Sequence, residues 1–233
     1  MERDVHTVVR HLAALPDGAM RRAALADLLA PLPASDAVRL VGAIYATADP
    51  IAVTALAGLL AEDRISYQRL AELYEAAVEE ARPMIARLFL ESHAGEPPPS
   101  PEQPTRPGGP TVPLGRRKAL ARDRRRDLLA PLLRDPDVAV VRNLLANRYL
   151  TERDVVAMAA RRPARADVLR AIAASRWVER YHVKRALVWN PSSPRELALR
   201  LLAALNRKDR DEVARDPGVS PDLREQARAL GGG

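Results

Sequence analysis

Proline placement constrains this chain more than any other feature. Of its twenty prolines, eight lie between Gly95 and Gly115: Pro97, Pro98, Pro99, Pro101, Pro104, Pro107, Pro110 and Pro113. Gly95, Gly108, Gly109 and Gly115 share the stretch. Proline has no N–H to donate and a locked φ, so this segment is expected to join neither helix nor sheet and to act as an extended, semi-stiff tether. The remaining prolines come mostly singly, where helix-period patterns begin or stop.

Before the tether, apolar residues recur at the helical spacing i, i+3, i+4, i+7. Val5, Val8, Val9 and Leu12 form one stripe, and Leu25, Leu28, Leu29 and Leu32 a second. Ser35 is expected to cap a third helix, Asp49-Pro50 a fourth and Ser66 a fifth, with Pro83 splitting the last. Residues 1–94 read as an all-helical domain, a bundle or short superhelix. Alanine fills 42 positions and aromatics only 3% of the chain, which suits thin helices better than a sheet.

After the tether a period emerges. Asp135-Pro136, Arg162-Pro163, Asn190-Pro191 and Asp216-Pro217 recur at intervals of 27, 28 and 26 residues. Between successive marks lie two helix-sized patterns, the first seen at Val140/Leu144, Val168/Ile172, Leu197/Leu201 and Leu223. Val155/Met158, Val183/Leu187 and Val213 mark the second. Thr151-x-x-Asp154, Ser193-Pro194-x-Glu196 and Ser220-Pro221 supply capping signals in the same phase. Two short helices at a fixed period predict an α-solenoid of about four repeats over residues 116–230, with 231–233 a disordered tail.

The pieces Asn147-Arg148-Tyr149-Leu150-Thr151 and Asn190-Pro191-Ser192-Ser193-Pro194 each join two amphipathic helices. In this the C-terminal half resembles bacterial helical-repeat proteins of the leucine-rich-repeat-variant and HEAT-like type. The resemblance implies a fold and a habit of binding macromolecules, and no reaction. Some leucine-rich-repeat-variant proteins hold an Fe–S cluster on cysteines; this chain has no cysteine, which also excludes disulfides and thiol catalysis.

Charge divides along the chain. Residues 1–94 hold 9 Lys/Arg against 13 Asp/Glu, and residues 116–233 hold 27 against 15, a net −4 beside a net +12. Such a basic half suits an acidic protein surface or nucleic acid. Two clusters carry it. One is Arg116, Arg117 and Lys118 with Arg122, Arg124, Arg125 and Arg126, where Lys118, Arg122 and Arg125 share a helical face that continues as Leu129 and Leu132. The other is Trp177, Arg180, Tyr181, Lys184, Arg185 and Trp189, which reads as core packing, as a protein anchor, or as a platform for stacked bases.

No phosphate loop, nucleophile elbow or paired metal-spacing histidines occur, so no catalytic, metal or cofactor residue is assigned. The expectation is a cytoplasmic, non-catalytic adaptor or scaffold without a membrane span, its basic repeat domain binding an acidic protein surface. A nucleic-acid-binding module is the alternative, with a HEAT-like-repeat DNA glycosylase behind it.

Overall fold

The computed structural model describes residues 4–62, 64–90, 103–104 and 111–231. They form an all-α fold. The helices before the proline-rich stretch are α1 (Val5–Ala14), α2 (Gly18–Leu29), α3 (Ala34–Thr47), α4 (Pro50–Ala61), α5 (Tyr67–Glu79) and α6 (Pro83–Phe89). After it come α7 (Leu114–Leu120), α8 (Arg126–Leu129), α9 (Val138–Ala146), α10 (Glu152–Ala159), α11 (Ala166–Ala173), α12 (Tyr181–Trp189), α13 (Arg195–Leu202), α14 (Arg207–Arg215) and α15 (Pro221–Gly231). Short 3₁₀ turns cover Ala130–Arg134 and Arg176–Glu179.

The proline-rich stretch departs from expectation at two places. An antiparallel ladder of two residues per strand joins β1 (Gln103–Pro104) to β2 (Thr111–Val112), in the register Gln103 to Val112 and Pro104 to Thr111. Proline is tolerated there because, among the described residues, neither strand has a second neighbour that would need its missing N–H. Gly115, read as tether, already lies inside α7. The rest of the tether, and Gly232 and Gly233 of the expected tail, lie outside the described residues. Gly231 closes α15.

Local signals set most helix ends. Asp49 caps α4 by accepting from the N–H groups of Ile51 and Ala52 at 3.0 and 2.8 Å, with Pro50 in the first turn. Ser66 caps α5 through Arg69 N–H. α5 ends at Glu79, and α6 restarts on Pro83, where a missing N–H costs nothing. Thr151 and Asp154 form the reciprocal capping box of α10. Ser35 and Ser193 do not cap. Pro33 and Pro194 precede α3 and α13 without a side-chain bond, and Ser193 Oγ instead donates to Leu187 O at 2.6 Å.

Contacts gather the chain into two compact units that do not follow the sequence division. One comprises residues 1–92 together with 194–233, the other residues 93–193. The expected repeat domain of residues 116–230 is thus divided at Pro194. In the first unit α4 is central, since every residue from Ala52 to Leu60 is buried, and α1, α2, α3 and α13 pack on it. Gly58 is required there. A Cβ would stand 2.8 Å from Cδ of Arg22, whose guanidinium pairs with Glu62 at 2.6 Å.

α13 joins this unit through polar bonds as well as packing. Tyr45 Oη donates to Leu199 O at 2.6 Å. The buried Arg200 donates to Leu88 O at 2.7 Å and Leu60 O at 2.9 Å, and to Leu90 O at 3.3 Å. Leu60 and Leu88 lie in the last turns of α4 and α6 and Leu90 just past the latter, where carbonyls lack intrahelical donors. No apolar residue at position 200 could satisfy them.

In the second unit, helices pack on the next but one: α7 on α9, α9 on α11, and α10 on α12. One device recurs. Asn147 Nδ2 donates to Ala121 O and Asp123 O, while its Oδ1 accepts from Tyr149 N–H. Asn190 Nδ2 likewise donates to Ala159 O and Arg161 O, and its Oδ1 accepts from Ser192 N–H. Each asparagine ties the end of its own helix to the carbonyls ending an earlier one.

Candidate functional site

The redrawn units keep the charge division, slightly reduced. Residues 93–193 hold 20 Lys/Arg against 10 Asp/Glu, a net +10, and the rest of the chain holds 17 against 20, a net −3. A candidate site therefore belongs to the second unit, and the question is which of its cations are at the surface.

The expected cluster at 116–126 is not one helix. α7 ends at Leu120, and Asp123 accepts from the N–H of Arg125 at 2.9 Å, a side-chain turn that competes with helix continuation. Lys118, Arg122 and Arg125 consequently share no helical face with Leu129 and Leu132. Arg117 is buried, 1% exposed, and its Nη1 lies 2.6 Å from both carboxylate oxygens of Asp135. It holds the fold together and is removed from the surface set. Arg116 and Arg124 are exposed, and Lys118 is half-buried. Arg122 is exposed and reaches Asn143 Oδ1 at 3.1 Å. Arg125 pairs with Asp123, and Arg126 with Asp154 at 3.0 Å.

The second cluster is also partly interior. Trp177 is 8% exposed and its Nε1 donates to Leu145 O at 2.9 Å, so it anchors one helix layer to the previous one. Lys184 is buried, and burial lowers its pKa while Glu179 opposes the shift. Tyr181 is half-buried, edge-on to the exposed His182 at 5.9 Å. Arg185 stacks on the half-buried Trp189 at 4.5 Å, and Arg180 is exposed.

Sequence reasoning missed a set that obeys the 28-residue period. Arg142 on α9, exposed, and Arg170 on α11, half-buried, lie 28 apart, away from the buried residues Val141/Leu144 and Leu169/Ile172. Arg148-Tyr149 and Arg176-Trp177 are also 28 apart, and each guanidinium lies over its aromatic neighbour, at 4.8 and 5.0 Å. The signal was available: shifting the apolar register Val140/Val168 by two residues gives Arg142/Arg170, and by eight gives Arg148/Arg176.

Arg126, Arg148 and Arg176 converge on the turn after α9. Arg176 donates to Asn147 O at 3.3 Å and Arg126 to Tyr149 O at 3.5 Å, while Arg148 Nη2 meets Tyr149 Oη at 2.7 Å. Carbonyls at a helix C-terminus carry partial negative charge, which explains why arginines gather there. The same accounting covers other arginines of the unit. Arg161 donates to Arg134 O and Arg162 to Trp189 O. Part of the arginine excess thus serves internal carbonyls. Arg116 and Arg142 have no such duty among the described residues and stand exposed on the packed helices α7 and α9.

Carboxylates are interleaved with these cations. Asp154 is pulled below the usual carboxylate range. Burial alone would raise its pKa, but hydrogen bonds from the Thr151 side chain and N–H, with Arg126, outweigh it. The pocket between Arg126, Leu129, Ala130, Leu133, Tyr149 and Asp154 has a volume of about 20 Å³, room for a water and not for a small ligand, which takes about 300 Å³ or more. What this site offers is surface. Among the described residues, no group of three or more His, Asp or Glu is placed to hold a metal ion, and no helix is long and apolar enough to cross a membrane. No protein-family model, curated protein or solved structure matches the chain.

Proposed function

We propose that the chain is a non-catalytic adaptor or scaffold whose residues 93–193, read as helical repeats, bind an acidic protein surface. The observation carrying this reading is the pairing of a net +10 unit with arginines repeated at 28-residue spacing, Arg142/Arg170 and Arg148/Arg176, beside the exposed Tyr149. Guanidinium groups recognise carboxylates bidentately, and Arg with Tyr is the usual makeup of protein interface anchors.

The test uses poly-L-glutamate and a random-sequence DNA duplex as probes of the full chain. Poly-L-glutamate should bind more tightly than the duplex, with affinity falling as salt rises. Arg116→Glu/Arg142→Glu should weaken it about tenfold, roughly 1.4 kcal/mol. Lys208→Glu, an exposed cation of the first unit, should change nothing. Tighter duplex binding, or equal loss with Lys208→Glu, refutes the reading.

A further inference from the structure

The outward face of α5 is the most apolar exposed helix surface among the described residues. Tyr67 is 70% exposed and Val78 53%, with Tyr74 on the same side. Tyr67, Tyr74 and Val78 follow the spacing i, i+7, i+11, which keeps them in one row. Glu75 and Glu79 lie to one side of that row and are exposed. Arg69, the one cation of the helix, is turned away to Leu29 O and Leu32 O and to Glu72 at 3.0 Å.

This arrangement works against the helix that carries it. Glu75 and Glu79 repel each other at i, i+4. They also occupy the C-terminal half of α5, whose last turn has no basic residue to offset the negative end of the helix dipole. Local stability would put lysine or arginine there. A face that is apolar, acidic and locally unfavourable gains when it meets a surface of cations and small apolar side chains.

The second unit presents such a surface. α7 and α9 pack on each other, and their exposed residues include Arg116, Ala119, Arg142 and Ala146. We propose that the acidic, tyrosine-bearing face of α5 in one copy of the chain docks on this arginine–alanine face of a second copy. Tyr67 and Tyr74 then lie against alanine with guanidinium groups over their rings, and the glutamates pair with arginine. Pairing of two α5 faces is disfavoured, since it would set glutamate against glutamate. The contact is therefore head-to-tail. The inference rests on the proposed acid-binding role of residues 93–193 and names the partner as this chain's own α5.

The experiment is sedimentation of the full chain over a range of concentrations at about 50 mM and about 500 mM NaCl, a change that shortens screening from about 14 to about 4 Å. Mass should rise with concentration at low salt, and association should weaken at least about tenfold at high salt. Glu75→Arg/Glu79→Arg and Arg116→Glu/Arg142→Glu should each be monomeric alone. Mixed in equal amounts they should associate again, because each α5 now meets a face of opposite charge; that recovery also shows both variants folded. A wild type that stays monomeric at low salt overturns the proposal, as does association that survives either reversal or fails to return on mixing. If the wild type is monomeric yet binds poly-L-glutamate through Arg116 and Arg142, the acid-binding role stands and only the identity of the partner falls.

Discussion

Replacing Arg200 by alanine tests the division of the chain into units. Its guanidinium satisfies the carbonyls of Leu88 and Leu60 at 2.7 and 2.9 Å, with a longer bond to Leu90. Hydrogen bonds from a charged donor contribute about 1.5–3 kcal/mol each, so the two short ones are worth about 3–6 kcal/mol. Releasing the guanidinium from a buried site returns part of this, while the lost stem packing adds to the cost. A net loss of about 3–5 kcal/mol is expected. For a chain of this size that lowers Tm by about 6–20 °C. Arg200→Met keeps the stem and should lose most of the same stability, separating carbonyl satisfaction from packing. The assay is urea unfolding followed by circular dichroism, with limited proteolysis mapping the protected segments. Protection of residues 4–90 should fall together with that of 194–231. A loss below about 1 kcal/mol, or a chain ending at Ser193 in which residues 4–90 keep full stability, refutes the division.

Two more outcomes follow from single side chains. Tyr45→Phe removes the bond to Leu199 O and should cost about 1 kcal/mol at neutral pH. Burial raises the Tyr45 phenol above its ordinary 10.0, against a smaller opposing effect of Arg210. A raised folded-state pKa means this contribution is complete below pH 10 and is lost as pH rises beyond it. The wild type should thus lose its advantage over Tyr45→Phe in alkaline unfolding titrations; a constant difference above pH 10 contradicts the assignment. Asn190→Ala leaves Ala159 O and Arg161 O without their donor and should cost about 2–3 kcal/mol by urea unfolding, whereas an unchanged midpoint would show that water replaces the amide.

The helices themselves were legible in the sequence because their signals are local. Proline and aspartate at Asp49-Pro50, Ser66 before α5, and the Thr151/Asp154 box act within one turn of the residues they organise. The period of 27, 28 and 26 residues was equally visible, and each of its four marks falls in a break just before α9, α11, α13 or α15. Part of the site was visible too. Arg116 and Arg124 stand at the surface as composition suggested, and Arg142 with Arg170 could have been found by extending the same register.

Tertiary structure decided what depends on partners far away in the chain. Arg117 looks like its neighbours Arg116 and Lys118, and only the carboxylate of Asp135, 18 residues on, makes it a buried ion pair. The arginines of the second unit look alike in sequence, and the carbonyls left open at helix ends select which of them turn inward. The unit boundary is the clearest case. Residues 194–233 continue the repeat pattern without a break. They belong with residues 1–92 because Arg200 and Leu199 meet groups more than 100 residues away. Periodicity reports which face of a helix is buried; what it is buried against depends on which distant carbonyls and apolar faces the rest of the chain leaves unsatisfied.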